Sequence, residues 1–267
     1  MKTRSPMKKL AAVAVAASAL VGCSVSAPST VKQPIAAPPA AEITAPAFQV
    51  LVEAKSEHSK KMSEFLTKLA LSAEQKTQLK GVLKSAFERA KPLQAEIKPL
   101  VTAPEIDRTA LRAAIEVAMK ADAAQDAQTM EEARKVLTME QRTLLADKLD
   151  EMSKREDDPH TKMIERLMDK AGEQVTMTES QKEAFNQLRT AFRDFWMTNR
   201  SEYYVAMAAH MRNGDQQALQ AEFERLNEGI PTDAMVTFMA SLDQSQRQKL
   251  ATWKENLMER IQSKLTE

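Results

Sequence analysis

One pentapeptide pattern occurs four times in this chain and sets most of what it can fold into. It reads Leu71-Ser-Ala-Glu-Gln75, Leu137-Thr-Met-Glu-Gln141, Met177-Thr-Glu-Ser-Gln181 and Leu242-Asp-Gln-Ser-Gln246. Ser72, Thr138, Thr178 and Asp243 each stand three residues before a glutamine, which is a capping box. The first side chain accepts from the amide of the third helical residue, and the glutamine accepts from the cap's own amide. Each copy therefore predicts a helix start. Lys76, Arg142, Lys182 or Arg247 follows directly, at the fourth helical position, where a hydrophobic staple needs an apolar side chain. The leading Leu71, Leu137, Met177 and Leu242 are therefore expected to dock into tertiary packing. An apolar residue stands eight positions after each of them (Leu79, Leu145, Phe185, Leu250). Copies one and two lie 66 residues apart and copies three and four 65 apart. Two equally spaced pairs predict a duplicated unit.

The rest of the chain fits that frame. Met62, Phe65, Leu66 and Leu69 form one apolar stripe at helical spacing. The first motif opens a long helix that Pro92 should kink and that Pro99 and Pro104 should end. Asp107 is expected to cap the next helix, and the second motif a further one from Met139 to about Ser153. After Glu156-Asp-Asp-Pro159 the cycle repeats, with His160-Thr-Lys162 echoing His58-Ser-Lys60. The third motif predicts a helix from Glu179 to about Met211, stopped at Asn213-Gly214. Asp215 caps the following one, Gly229-Ile-Pro231 interrupts it, and the last runs from the fourth motif to about Ser263.

Composition narrows the function. Low glycine, few aromatics and abundant Ala, Glu, Lys, Leu, Gln and Met predict an all-α protein. Residues 1–22 have a basic head and an apolar run from Leu10 to Val21, the pattern of a secretory signal peptide. It ends Leu20-Val-Gly-Cys23, which looks like a lipobox, so Cys23, the only cysteine, is expected to carry lipid. Ser24 after it fits sorting to the outer membrane. Residues 23–52, rich in Ala and Pro, then form a tether. Removing residues 1–22 takes away four basic and no acidic side chains, leaving 34 basic against 37 acidic. That balance, with no basic stripe, gives no reading as a nucleic-acid binder. Charge is uneven along the chain: residues 53–100 carry ten basic and six acidic side chains, residues 101–158 nine and fourteen.

No nucleophile, base or phosphate loop stands in a recognisable context, so neither an enzyme nor a cofactor is expected. His58 and His160, at equivalent helix starts, read as capping or surface residues. Met207, His210 and Met211 share a helix face at spacing that suits soft ligation of copper(I), a weak metal candidate against simple packing. Phe192, Phe195, Trp196, Tyr203 and Tyr204 are five of the chain's twelve aromatics within thirteen residues. Phe192, Phe195 and Tyr203 form a stripe expected in the core. Trp196 and Tyr204 lie beside it and are expected to be partly exposed and available to a partner.

The four capped pentapeptides resemble the LTxxQ motif that occurs twice in the Spy and CpxP family of small all-helical periplasmic stress proteins. The likeness covers roughly residues 55–262 as two successive copies. It implies two tandem four-helix repeats, residues 53–156 and 157–267, packed as a pseudo-dimer within one chain. Family members form curved antiparallel helical dimers whose concave face binds unfolded clients without ATP; some relatives are stress regulators or metal-resistance sensors. The resemblance thus implies an ATP-independent holdase in the periplasm, acting as a monomer on unfolded envelope proteins, with the aromatic cluster as candidate client surface. The alternative is an envelope-stress or metal-responsive sensor or adaptor lipoprotein. The chain departs from the family pattern in being duplicated, in its lipobox, and in lacking net positive charge.

Overall fold

The structure, a computed structural model, describes residues 64–65, 67–155 and 159–266. The signal segment, Cys23, the tether, His58 and the side chain of His160 lie outside what is described. The fold is all-α, and the described residues contain no strand. From residue 73 on, the described residues form eight helices in order: α1 (Ala73–Thr102), α2 (Arg108–Val136), α3 (Met139–Ser153), α4 (Pro159–Gly172), α5 (Glu179–Asn213), α6 (Gln216–Asn227), α7 (Thr232–Ser241) and α8 (Gln244–Thr266). None is long and apolar enough to cross a membrane.

The starts and stops follow local chemistry. Asp107 and Asp215 accept from the amides of Ala110 and Ala218, both at 2.9 Å, and so cap α2 and α6. Gly214 ends α5 in the left-handed conformation, φ 76°, with its amide returned to the His210 carbonyl. Pro231 separates α6 from α7.

Of the prolines of α1, Pro99 departs from expectation. The helix passes through both Pro92 and Pro99 and stops at Thr102, before Pro104. The two rings lie seven residues apart on the exposed side. There, the carbonyls four residues earlier that lose a donor can meet solvent. The last turn is also held from outside by α8. Gln244 Nε2 donates to Thr102 O at 2.9 Å, and Arg247 donates to the carbonyls of Val101, Ala103 and Pro104.

The helices interleave along the chain. Helix α3 packs most extensively on α5, and α8 packs on α1, so the last helix of each half lies along the long helix of the other. Both pairs run antiparallel. Arg247 near the start of α8 meets the end of α1, while Leu257 and Ile261 meet Leu83 and Phe87. Asp147 and Asp150 of α3 meet Arg212 at the end of α5. Helix α2 joins the two sets by packing on α1, α6, α7 and α5. The largest core brings Ile97 and Val101, Leu111 and Ile115, Leu188, Val236, Phe238 and Leu250 together from α1, α2, α5, α7 and α8. Helix α4 adds Met163 and Leu167 to the seam between α1 and α8. Full burial of a Leu- or Phe-sized side chain stabilises by roughly 1.5–3 kcal/mol, so these seams join helices that lie far apart in the chain.

Candidate functional site

All four pentapeptides form both bonds of the capping box. Ser72, Thr138, Thr178 and Asp243 accept from the glutamine amides, and each glutamine Oε1 accepts from its cap's amide at 2.8–3.0 Å. The glutamines do more than cap. Gln75 and Gln141 exchange Nε2-to-Oε1 hydrogen bonds at 2.7 and 3.1 Å. Their remaining N–H groups donate to Val136 O at 2.9 Å and Leu69 O at 3.0 Å. Gln181 and Gln246 repeat the arrangement at 3.0 and 3.1 Å, with second donations to Ser241 O and Thr176 O at 2.8 and 2.6 Å. Each amide thereby uses two donors and two acceptor sites, its whole capacity. One clasp joins the starts of α1 and α3, and the other the starts of α5 and α8.

The apolar members of the motif follow the same pairing. Leu71 and Leu137 are buried together, with Leu79 and Leu145 against them. Leu242 and Leu250 are buried in the main core beside Met177 and Phe185. The leading residue thus docks into tertiary packing, as its sequence context implies. What sequence reasoning missed is the pairing itself. The available signal was that all four boxes use Gln, although Glu serves a capping box equally well.

The basic residue after each motif has unequal roles. Arg142 Nε donates to Leu137 O at 2.9 Å and stays part-buried. Arg247 is buried and donates to four carbonyls, its own motif's Leu242 and three at the end of α1. Burial holds its guanidinium below the ordinary arginine range. Its position suits the negative end of the α1 dipole. Acidic residues nine positions after the glutamines complete the crossing. Asp150 of α3 pairs with Arg212 of α5 at 2.5 Å, and Glu255 of α8 pairs with Lys98 of α1.

The aromatic cluster is brought together on α5, but not as expected. Trp196 lies 5.4 Å from Tyr203, which lies 5.4 Å from Phe223 of α6; Tyr204 meets Trp196 edge-on at 6.2 Å. Phe192 packs part-buried on the main core, and Phe195 faces Gly229. Tyr204 is wholly buried, with 0 % exposure, and so is not available to a partner. The reason is that α5 is covered on two sides. Helix α6 takes the Tyr203 side, and α3, with Ala146 and Leu149, takes the Tyr204 side. Trp196 remains part-buried, and Met197 and Val205 are exposed nearby.

No known protein family, curated protein or solved structure matches this chain.

The soft-ligand candidates do not converge. Met211 is buried against α3 with Tyr204 and Ala208, and Met207 packs beside it. His210, also buried, turns instead toward α2, its Nε2 3.2 Å from Glu131 Oε2 without hydrogen-bond alignment. Glu131 is itself gripped by Arg134 through Nε at 2.6 Å and Nη2 at 3.1 Å. That bond holds the Glu131 carboxyl below its ordinary range. Among the described residues no group of three His, Cys, Asp or Glu side chains could hold a metal ion.

Two further buried charges were not singled out from sequence. Asp122 of α2 is buried with Oδ2 unpartnered, and burial, reinforced by Asp126 and opposed by Lys254, pushes its carboxyl up to about 8. Arg200 of α5, nine-tenths buried, has neither Nε nor Nη1 hydrogen-bonded. A charged residue on an amphipathic pattern reads as solvated, which is why both escaped notice.

Proposed function

We propose that this protein is an ATP-independent holdase of the bacterial envelope, tethered through lipid on Cys23 and built from two repeats that act as a pseudo-dimer within one chain. The observation that carries the reading is the matched pair of glutamine clasps, Gln75 with Gln141 and Gln181 with Gln246. Four motifs engaged two by two, each pair at one end of a long helix, are what a duplicated Spy-like unit requires. The crossing of α3 onto α5 and of α8 onto α1 supports the same reading. It makes the intrachain contacts that two separate subunits would otherwise make, so a second copy is not needed. Client capture falls to surfaces framed by the long helices, with Trp196, Met197 and Val205 the accessible apolar groups of α5. Localisation to the periplasm, at the outer membrane, rests on the sequence of residues 1–24.

The test uses mature chain with Cys23 replaced by Ser. Suppression of aggregation of a chemically denatured client at equimolar ratio, without nucleotide, together with a monomer by sedimentation at micromolar concentration, is the expected result. A stable dimer would remove the pseudo-dimer reading, and failure to slow aggregation would remove the holdase reading. The sensor alternative gains no support from the geometry, since His210 and Met211 turn to different neighbours.

A further inference from the structure

The near-neutral balance of the mature chain hides an uneven distribution in space. Helices α1, α4 and α8 meet in one seam, where Leu83 and Phe87 pack with Met163 and Leu167 and with Leu257 and Ile261. The stretches that supply those residues, 76–87, 161–168 and 256–263, carry six basic side chains and two acidic ones. The rest of the mature chain holds 28 basic against 35 acidic. Lys76, Lys80 and Lys84 follow one another at four-residue spacing on α1, Lys162 and Arg166 do so on α4, and Arg260 stands beside Ile261 on α8. Lys84, Lys162 and Arg166 are exposed. Lys76, Lys80 and Arg260 are part-buried, which for such long side chains lets the stem lie on the helix while the charge stays in water.

Other cations of these helices are matched. Lys91 pairs with Glu88 at 2.7 Å, and Lys98 pairs with Glu255. Among the described residues, no carboxylate lies at ion-pair distance from Lys76, Lys80, Lys84, Arg166 or Arg260. Like charges gathered on adjacent helices repel, and an anionic partner offsets that repulsion. The chain's own order says which partner. The residues leading from Cys23 enter α1 at its cap, Ser72, and Lys76 comes four residues later. The basic turns therefore open the first of the eight helices after the tether. An anionic lipid surface strengthens binding roughly fivefold for each Lys or Arg near it, over a reach of about 8–10 Å. The acidic excess elsewhere is repelled by the same surface, so this face alone turns toward the lipid.

We propose that Lys76, Lys80 and Lys84 of α1, with Lys162, Arg166 and Arg260 beside the same seam, form a surface that rests on anionic phospholipid headgroups of the membrane to which Cys23 is anchored. The inference rests on the lipid-tether reading and deepens it. The lipid holds the chain at the membrane, and the basic surface sets how the folded part is oriented there.

The test uses full mature protein carrying Cys23→Ser, so that no acyl chain contributes, and vesicles of phosphatidylcholine alone or in equal parts with phosphatidylglycerol. Co-sedimentation is expected to show binding to the anionic vesicles that falls as salt rises. Lys76→Gln, Lys80→Gln and Lys84→Gln together are expected to weaken it about a hundredfold. Lys120→Gln, Arg193→Gln and Lys249→Gln remove the same charge from exposed positions elsewhere and should leave it unchanged. Equal affinity for the two kinds of vesicle overturns the proposal, as does equal weakening by the two triple variants. Should circular dichroism show the α1 variant unfolded, Lys84→Gln with Arg166→Gln decides instead: a loss of roughly twentyfold is expected, and no loss overturns the proposal. An α1 variant that keeps its hold on anionic vesicles but no longer suppresses client aggregation assigns these lysines to clients and overturns the membrane assignment. The mass of the mature N-terminus judges the tether separately: an unmodified Cys23 removes the lipid anchor, while the vesicles still decide the basic surface.

Discussion

Gln75 and Gln141, 66 residues apart, face each other across the starts of α1 and α3 and share two hydrogen bonds, at 2.7 and 3.1 Å. The relationship separates two accounts of the motif. As a capping box alone, Gln75→Glu is harmless, because a carboxylate accepts the cap amide as well as an amide oxygen does. In the clasp it removes the donors to Val136 O and Gln141 Oε1 and sets an anion against an acceptor. Gln75→Glu is expected to destabilise by about 1–3 kcal/mol, more than the ~1 kcal/mol of Ser72→Ala. Much of that loss should return below pH 4, where the new carboxyl is protonated and can donate. Urea unfolding at pH 7 and pH 3.5 checks both parts. The pairing should also appear as non-additivity: Gln181→Ala and Gln246→Ala together are expected to cost less than the sum of the two alone, by about 0.5–3 kcal/mol.

Arg247 and Arg142 occupy the same motif position and predict unequal losses. Replacing Arg247 by Ala strands the carbonyls of Val101, Ala103 and Pro104 at a part-buried helix end. An expected cost of about 3 kcal/mol follows, since bonds to a charged donor contribute roughly 1.5–3 kcal/mol each and are not additive. Arg247→Lys should recover only part of it, because one ammonium cannot span four acceptors set out for a planar fork. Arg142→Ala loses one part-buried bond to Leu137 O and is expected to cost about 1 kcal/mol. Thermal unfolding of the three variants measures the ranking.

How much was legible beforehand divides along the reach of the interactions. Helix starts at Ser72, Asp107, Thr138, Thr178 and Asp215 were readable because the cap and its amide lie within three residues. The stop at Gly214 was readable because only glycine takes φ 76° without strain. Pro99 misled because the groups that carry α1 past it, Gln244 and Arg247, come from more than 140 residues downstream. Tyr204 misled for a related reason. The stripe rule assumes one buried face per helix, and α5 has a second, supplied by α3. The unpaired state of Arg200 has no sequence signature at all, since it depends on what fails to arrive.

Two glycines with opposite surroundings make a matched test of backbone strain. Gly214→Ala forces an L side chain into the left-handed region, and its Cβ would lie 2.5 Å from Arg134 Cζ. The conformation alone costs roughly 1–2 kcal/mol, and displacing Arg134 also loosens its grip on Glu131. Gly81 lies inside α1, is exposed, and has nothing within 4 Å of where a Cβ would stand. Gly81→Ala is expected to stabilise by about 0.5–1 kcal/mol. Melting temperatures of the two variants should move in opposite directions; a shift of the same sign would overturn the account of Gly214.

Asp122 gives the protein a pH dependence of known sign. Its carboxyl titrates near 8 in the fold, against an ordinary value of 3.8. Below about 3.8 it is protonated in both the folded and the unfolded chain and contributes no pH dependence. Between 3.8 and 8 the unfolded chain ionises while the folded one keeps its proton, so stability falls as pH rises, by at most ~1.4 kcal/mol per pH unit from this group. Above 8 the loss is complete. Asp122→Asn keeps the shape and cannot ionise, so its advantage over the parent should be small at pH 4 and grow steadily to pH 8. Lys254, the opposing charge, limits the size of the effect: Lys254→Met should push the Asp122 carboxyl higher and extend the loss into more alkaline solution. Denaturant unfolding of the parent and both variants across pH 4–9 tests the argument, and parallel stability curves for parent and Asp122→Asn would refute it.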